Sequence, residues 1–179
     1  MNHKSTTPGP MRLKTVLTRL CRTWEARGLF SRNRVMVTGR QLMLWKQDRN
    51  IAGLWPKPPV LATATLDDGM GMGLDLIELY AAVAGMRVER LDLLMEADDL
   101  VAACRKRPPD FLGLTVLRED AMDLLDTVIG PAMPHATTIL AGGPVFRLLP
   151  LSERKEKPYV ILPDLAAFVR YVLSLNLIY

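Results

Sequence analysis

The chain has 179 residues, 49% of them hydrophobic, which suits one domain with an extension, supports a sizeable core and excludes a disordered chain. No apolar run is long enough to span a bilayer, and the best N-terminal segment, Val16 to Cys21, is short and broken by Arg19, which excludes a signal peptide and points to a cytoplasmic protein. The net charge of +4 hides a split: residues 1–59 carry twelve Lys or Arg against Glu25 and Asp48, whereas residues 60–179 carry eleven against seventeen acids. A basic front part suits nucleic acid, an acidic partner or a membrane surface. Without interleaved aromatics it also suits a plain solvated helix face beside a flexible tail.

Met1 to Pro10 is polar, carries Pro8 and Pro10, and reads as a disordered tail. Residues 11–58 read as a basic helix and hairpin extension. Met11 to Glu25 places Leu13, Val16, Leu17, Leu20, Cys21 and Trp24 at helical spacing, and Gly28 ends that helix. Its stripe must be buried on the main domain or on a second copy, as in a homodimer. Arg34 to Trp45 reads as a hairpin about Thr38-Gly39, although Arg40 to Leu44 also has helical character. Leu54-Trp55-Pro56-Lys57-Pro58-Pro59 is a stiff connector before an α/β unit spanning 59–179.

From Pro59 strand and helix patterns alternate. Strands are expected at Val60–Leu66, Arg87–Leu93, Phe111–Leu117, Thr137–Ala141 and Tyr159–Leu162. Helices are expected at Leu74–Ala84, at Leu100–Arg105 behind an Asp98 cap, at Glu119–Ile129 broken by Gly130-Pro131, and from Asp164 to Leu173; Lys155–Pro158 reads as a turn. This alternation specifies an open five-stranded parallel sheet, flavodoxin-like or Rossmann-like, with helices on both faces. Ligands bind such folds at the carboxyl ends of the strands. Here those ends are Asp68-Gly69-Met70-Gly71-Met72-Gly73, Thr115-Val116-Leu117 and Gly142-Gly143. The first loop runs from a buried strand into a helix, and its three glycines let a bulky or charged group approach the backbone.

These strand ends exclude several chemistries. Asp67-Asp68 suggests a response-regulator pocket, but the third strand end has no phosphate-accepting Asp; Asp120 lies in the next helix. The glycine spacing is not the dinucleotide fingerprint, and Asp92 is the nearest candidate for a ribose ligand. His3 and His135 are the only histidines, in a tail and a Pro-bounded loop, so hydrolysis by a nucleophile–base pair has no support. Cys21 and Cys104 have no metal or redox spacing and read as core thiols. Trp24, Trp45 and Trp55 read as anchors of the front part, with a cofactor lid as the sharper alternative.

The three motifs, in this order, resemble the cobalamin-binding domain of corrinoid proteins, over about residues 59–175. That family carries Asp-x-His-x-x-Gly, then Ser-x-Leu, then Gly-Gly. The resemblance implies a base-off corrinoid (cobalamin) whose nucleotide tail enters a slot between sheet and helices. Asp68, Gly69, Met70, Gly71, Gly73, Thr115, Leu117, Gly142 and Gly143 would line the site, the Thr115 hydroxyl bonding the tail. Met70 stands where the family has its cobalt-ligating histidine. A thioether has no N–H for Asp68, so the aspartate–histidine relay is lost; Met70 is an apolar filler beside the ring or, as a metal ligand, an axial donor to cobalt or to haem iron. Val160-Ile161-Leu162-Pro163-Asp164 replaces the family's Gly-Ala-Asp segment. Trp24, Phe30 and Val37-Thr38-Gly39-Arg40-Gln41-Leu42 look like the segment before the corrinoid- or haem-sensing domain of bacterial photosensory regulators. The resemblance implies a protein that presents, carries or senses the cofactor for a methyltransferase, a radical enzyme or a regulator, without turnover of its own. The alternative is a domain that has lost the cofactor and serves as an interaction or regulatory subunit.

Overall fold

The structure is a computed structural model that describes residues 9–147 and 149–175. His3 and most of the expected tail lie outside them, while Gly9 and Pro10 already belong to the first helix. The elements are α1 (Gly9–Arg27), α2 (Arg32–Asp48), β1 (Val60–Thr65), α3 (Met72–Ala84), β2 (Arg87–Asp92), α4 (Ala97–Lys106), β3 (Phe111–Thr115), α5 (Glu119–Leu124), α6 (Gly130–Ala132), β4 (Thr138–Gly142), α7 (Leu151–Glu156), β5 (Val160–Ile161) and α8 (Leu165–Ser174). The five strands form one parallel sheet in the order β2-β1-β3-β4-β5. Alternating strand and helix with right-handed crossovers gives this doubly wound arrangement, as the sequence pattern predicts.

Strand residues divide between two cores by the period of two. Leu61, Phe111 and Leu140 face α3 and α8, while Ala62, Leu112 and Ile139 face α4 and α5. Helix α3 is apolar almost all round because it is covered twice, by the sheet and by α2. Helix α1 covers α8 in the same way, so α1 and α2 form an outer layer on one side of the sheet. Trp24 is only 2% exposed and meets the Tyr80 ring edge-on at 5.3 Å, and the Tyr80 hydroxyl donates to the Val35 carbonyl at 2.9 Å. None of the three tryptophans lines the cavity described below.

The hairpin expected at Arg34–Trp45 is a helix. Val35, Gly39 and Lys46 are its buried positions, all on the face toward α3, and Thr38 donates back to the Arg34 carbonyl instead of opening a turn. Tertiary packing outweighs the local Thr-Gly signal: a Cβ on Gly39 would lie 2.5 Å from the Leu79 side chain, so glycine serves close helix approach here. Lys46 is buried and donates to the Ala82 carbonyl at 2.7 Å near the C-terminal end of α3; burial lowers its pKa.

Other boundaries move for local reasons. Helix α4 starts behind Glu96 rather than Asp98, which lies in the first turn. Gly130-Pro131 does not stop the third crossover helix. It passes through a π turn, Leu125–Ile129, and one more turn to Ala132, because Pro131 is tolerated in a first turn. Leu151–Glu156 is helical, so the expected turn begins only after it. Asp164 caps α8 as expected, accepting from the Ala167 N–H at 2.8 Å. Both cysteines are buried, and burial pushes the Cys104 thiol up to about 11.

If α1 is part of the core, Trp24→Ala lowers the unfolding free energy by about 3–5 kcal/mol in a single denaturant transition. An unchanged main transition would show that α1 is not integral to the domain.

Candidate functional site

The carboxyl edge of the sheet is held by contacts between its loops. Asp67, just after β1, accepts from the Leu117 N–H at 2.9 Å and the Arg118 N–H at 2.8 Å, tying the loop after β1 to that after β3. Thr65 donates to the Asp68 carbonyl at 2.5 Å and accepts from the Leu94 N–H at 3.0 Å, adding the loop after β2. Asp68 accepts from the Met70 N–H at 2.8 Å and so turns its own loop. Gly71 has φ +62°, and a Cβ there would stand 2.8 Å from the Leu93 side chain. A Cβ on Gly69 would stand 3.2 Å from that of Leu94.

After β4 the backbones nearly touch. A Cβ on Gly142 would lie 2.8 Å from the Leu162 carbonyl oxygen, and one on Gly143, where φ is +134°, only 1.9 Å from that of Val116. No side chain fits at Gly143, so its glycine is required by backbone packing.

Beside this edge, between the sheet, α3 and α8, lies a cavity of about 340 Å³. That volume falls within the range of small-molecule sites, about 300–1,000 Å³. Leu76 and Ile77 of α3, Phe168 of α8, Leu140 of β4 and Leu162 form apolar walls; Gly113 and Thr115 contribute from β3. Gly73, in the first turn of α3, faces Thr115 across it, and a Cβ there would be 3.3 Å from the Thr115 Oγ1. The Thr63 hydroxyl donates to Glu78 and the Thr65 hydroxyl to Asp68. The Thr115 hydroxyl has no partner among the described residues. No buried side-chain N or O among the described residues is unsatisfied, so this hydroxyl reaches solvent and is available to a ligand that enters the slot.

Of the residues singled out in the sequence, Gly73, Thr115, Leu117, Gly142 and Gly143 line the cavity. Asp68, Gly69, Met70 and Gly71 do not; they form the adjoining loop, packed toward Leu93 and Leu94. Met70 is 71% exposed, and Met72, Leu94 and Leu117 are also exposed, so the edge carries an apolar crown. His135 lies away from it, near the first residues of β4 and β5. Among the described residues no group of three or more His, Cys, Asp or Glu is placed to hold a metal. Asp120 pairs with Arg118, which holds its carboxyl below the usual range.

Sequence reasoning missed Leu29, Arg147 and Asp164 at this cavity, as well as Phe168 in its wall. Leu29 belongs to the link between α1 and α2. Arg32 pins that link to the start of α3, donating to the Met72 carbonyl at 3.1 Å and to Asp75 at 2.9 Å. Arg147 stands four residues after Gly143, close enough to that motif to have been noticed. Leu29 gives no signal, because its position depends on how α1 and α2 fold back.

Fold and edge together define an open parallel α/β domain with a ligand-sized cavity at its carboxyl ends. No family model matches the chain, and no curated protein matches it. Solved structures of cobalamin-binding proteins share its fold. A cobalamin-binding protein from Desulfitobacterium hafniense DCB-2 superposes with TM-score 0.70 at 15% identity, over 90% of this chain and 78% of that one. The methanol:cobalamin methyltransferase complex MtaBC from Methanosarcina barkeri gives 0.62 at 15%, over 93% and 67%. The monomethylamine corrinoid protein of Methanosarcina barkeri gives 0.53 at 15%, over 90% and 79%. No helix among the described residues is long and apolar enough to cross a membrane.

Asp67→Ala removes the acceptor shared by two backbone amides. The Leu117 and Arg118 N–H groups should then exchange with solvent at least about tenfold faster, a factor worth about 1.4 kcal/mol of local opening. Unchanged exchange at both would mean that Asp67 does not hold this edge.

Proposed function

We propose that the protein binds a corrinoid, cobalamin in the first instance, and presents, carries or senses it for a partner protein. The reading rests on one observation above all: an apolar cavity at the carboxyl edge in which the Thr115 hydroxyl has no partner among the described residues. The residues present fit the nucleotide tail of a base-off corrinoid. Leu76, Ile77 and Phe168 offer flat apolar contact to a base, Thr115 offers a hydrogen bond, and Gly73 leaves the room. The exposed crown of Met70, Leu94 and Leu117 would meet the macrocycle above. Met70 serves there as an apolar rest in place of the family's histidine. A bound corrinoid would supply cobalt-centred chemistry to the partner; this chain holds and orients it.

The likeness to corrinoid proteins, one of them in a complex with a methyltransferase, supports a partner of that kind, with a radical enzyme or a regulator as further classes. Haem stays the alternative ligand to be tested. A domain that has lost its cofactor would be expected to fill the slot with its own side chains, and the open cavity favours the ligand-binding reading over that one.

The test is retention of pigment. The protein mixed with hydroxocobalamin and desalted should keep the corrinoid absorbance. Gly73→Leu, which sets a side chain against Thr115 at an ordinary helical position, should lower that retention by at least about tenfold while leaving the far-ultraviolet circular dichroism intact. No retained pigment with hydroxocobalamin would overturn the proposal, and retention of haem alone would favour the alternative ligand.

A further inference from the structure

We propose that Arg147 is the anion-binding group of the slot and pairs with the phosphodiester of the corrinoid's nucleotide tail. This rests on the corrinoid reading above and adds a residue that none of the three motifs contains. Arg147 ends the short 3₁₀ turn Pro144–Arg147, directly after the glycine pair, and it lines the cavity. It is the only Lys or Arg that does so among the described residues. Its side chain is exposed, and its guanidinium has no hydrogen bond, ion pair or ring contact with any described residue. Most other arginines around this edge are engaged: Arg32 with Asp75, Arg90 with Asp75 and Glu78, Arg118 with Asp120.

The acid at the cavity does not compete. Asp164 is the only Asp or Glu lining it among the described residues, and its carboxylate accepts from the Ala167 N–H as the cap of α8. A cation free of protein partners at the rim of an otherwise apolar slot selects a ligand with an apolar body and one anionic group. A planar guanidinium matches a phosphate by two parallel N–H···O bonds. A tail carrying an aromatic base and a phosphodiester has both features. Cobinamide, a corrinoid without phosphate, ribose or base, has neither.

Affinities of the full chain for hydroxocobalamin and for diaquocobinamide, measured by absorbance titration, test this. Arg147→Ala should weaken hydroxocobalamin by about fivefold to tenfold, as for a partly exposed charge-assisted pair, and leave diaquocobinamide unchanged. Arg147→Lys, which keeps the charge but not the two parallel bonds, should restore part of the loss. Equal affinity of Arg147→Ala and the parent for hydroxocobalamin would overturn the assignment. So would a parallel loss for diaquocobinamide, since that marks a structural effect. If diaquocobinamide binds too weakly to compare, failure of Arg147→Lys to rescue overturns it and rescue supports it. A parent that binds hydroxocobalamin while Arg147→Ala binds equally leaves the corrinoid reading standing; a parent that binds no corrinoid removes both.

Discussion

The contact of the Gly143 backbone with the Val116 carbonyl is the constraint on which the carboxyl edge depends. It allows the loop after β4 to lie directly on the loop after β3, where any Cβ would overlap an oxygen. Gly142 also lies close to the Leu162 carbonyl, and the Leu162 N–H donates to the Ala141 carbonyl at 2.8 Å. The chain is thereby led to Asp164, the cap of α8, with Phe168, Leu76 and Ile77 lining a gap that no side chain of the described residues fills. Asp67 closes the same edge from the β1 side. The rim of the cavity at this edge is therefore set by backbone contacts, which do not change rotamer, while its walls are apolar side chains.

The two front helices contribute more to this site than a covering layer. They bury the outer faces of α3 and α8, the helices that wall the cavity. Their link also carries Leu29 to the rim, and Arg32 fixes that link on the first turn of α3. Lys14, Arg19 and Arg22 remain exposed on α1, so much of the basic charge of the front part is on the outside of the layer. The burial of Leu13, Leu17, Cys21 and Trp24 on the opposite stripe explains why a helix with so many cations folds against an apolar core.

Much of the fold was legible because a period of two and a period of 3.6 alternate cleanly from Val60 onward. The apolar runs of β1, β3 and β4 and the cap at Asp164 needed no tertiary information. Helix α2 was not legible, since Thr38-Gly39 is a turn signal locally and a close-packing position in the assembled molecule. For the site, the strand ends singled out in the sequence border the cavity through Gly73, Thr115, Leu117, Gly142 and Gly143, but the glycines were given one role where their surroundings differ. Gly73 borders the cavity opposite Thr115, whereas Gly143 makes room for the protein's own backbone. Arg147, Phe168 and Leu29 escaped because lining a cavity is a property of how elements meet, and spacing along the chain does not encode it.

The central claim is that a ligand enters between α3 and α8 at the carboxyl edge. Backbone hydrogen exchange, followed residue by residue with and without hydroxocobalamin, tests it most directly. The account predicts added protection at the first turns of α3 and α8, at Thr115 to Leu117 and at Gly142 to Gly143. Protection confined to α1 and α2, or absent throughout, would contradict it.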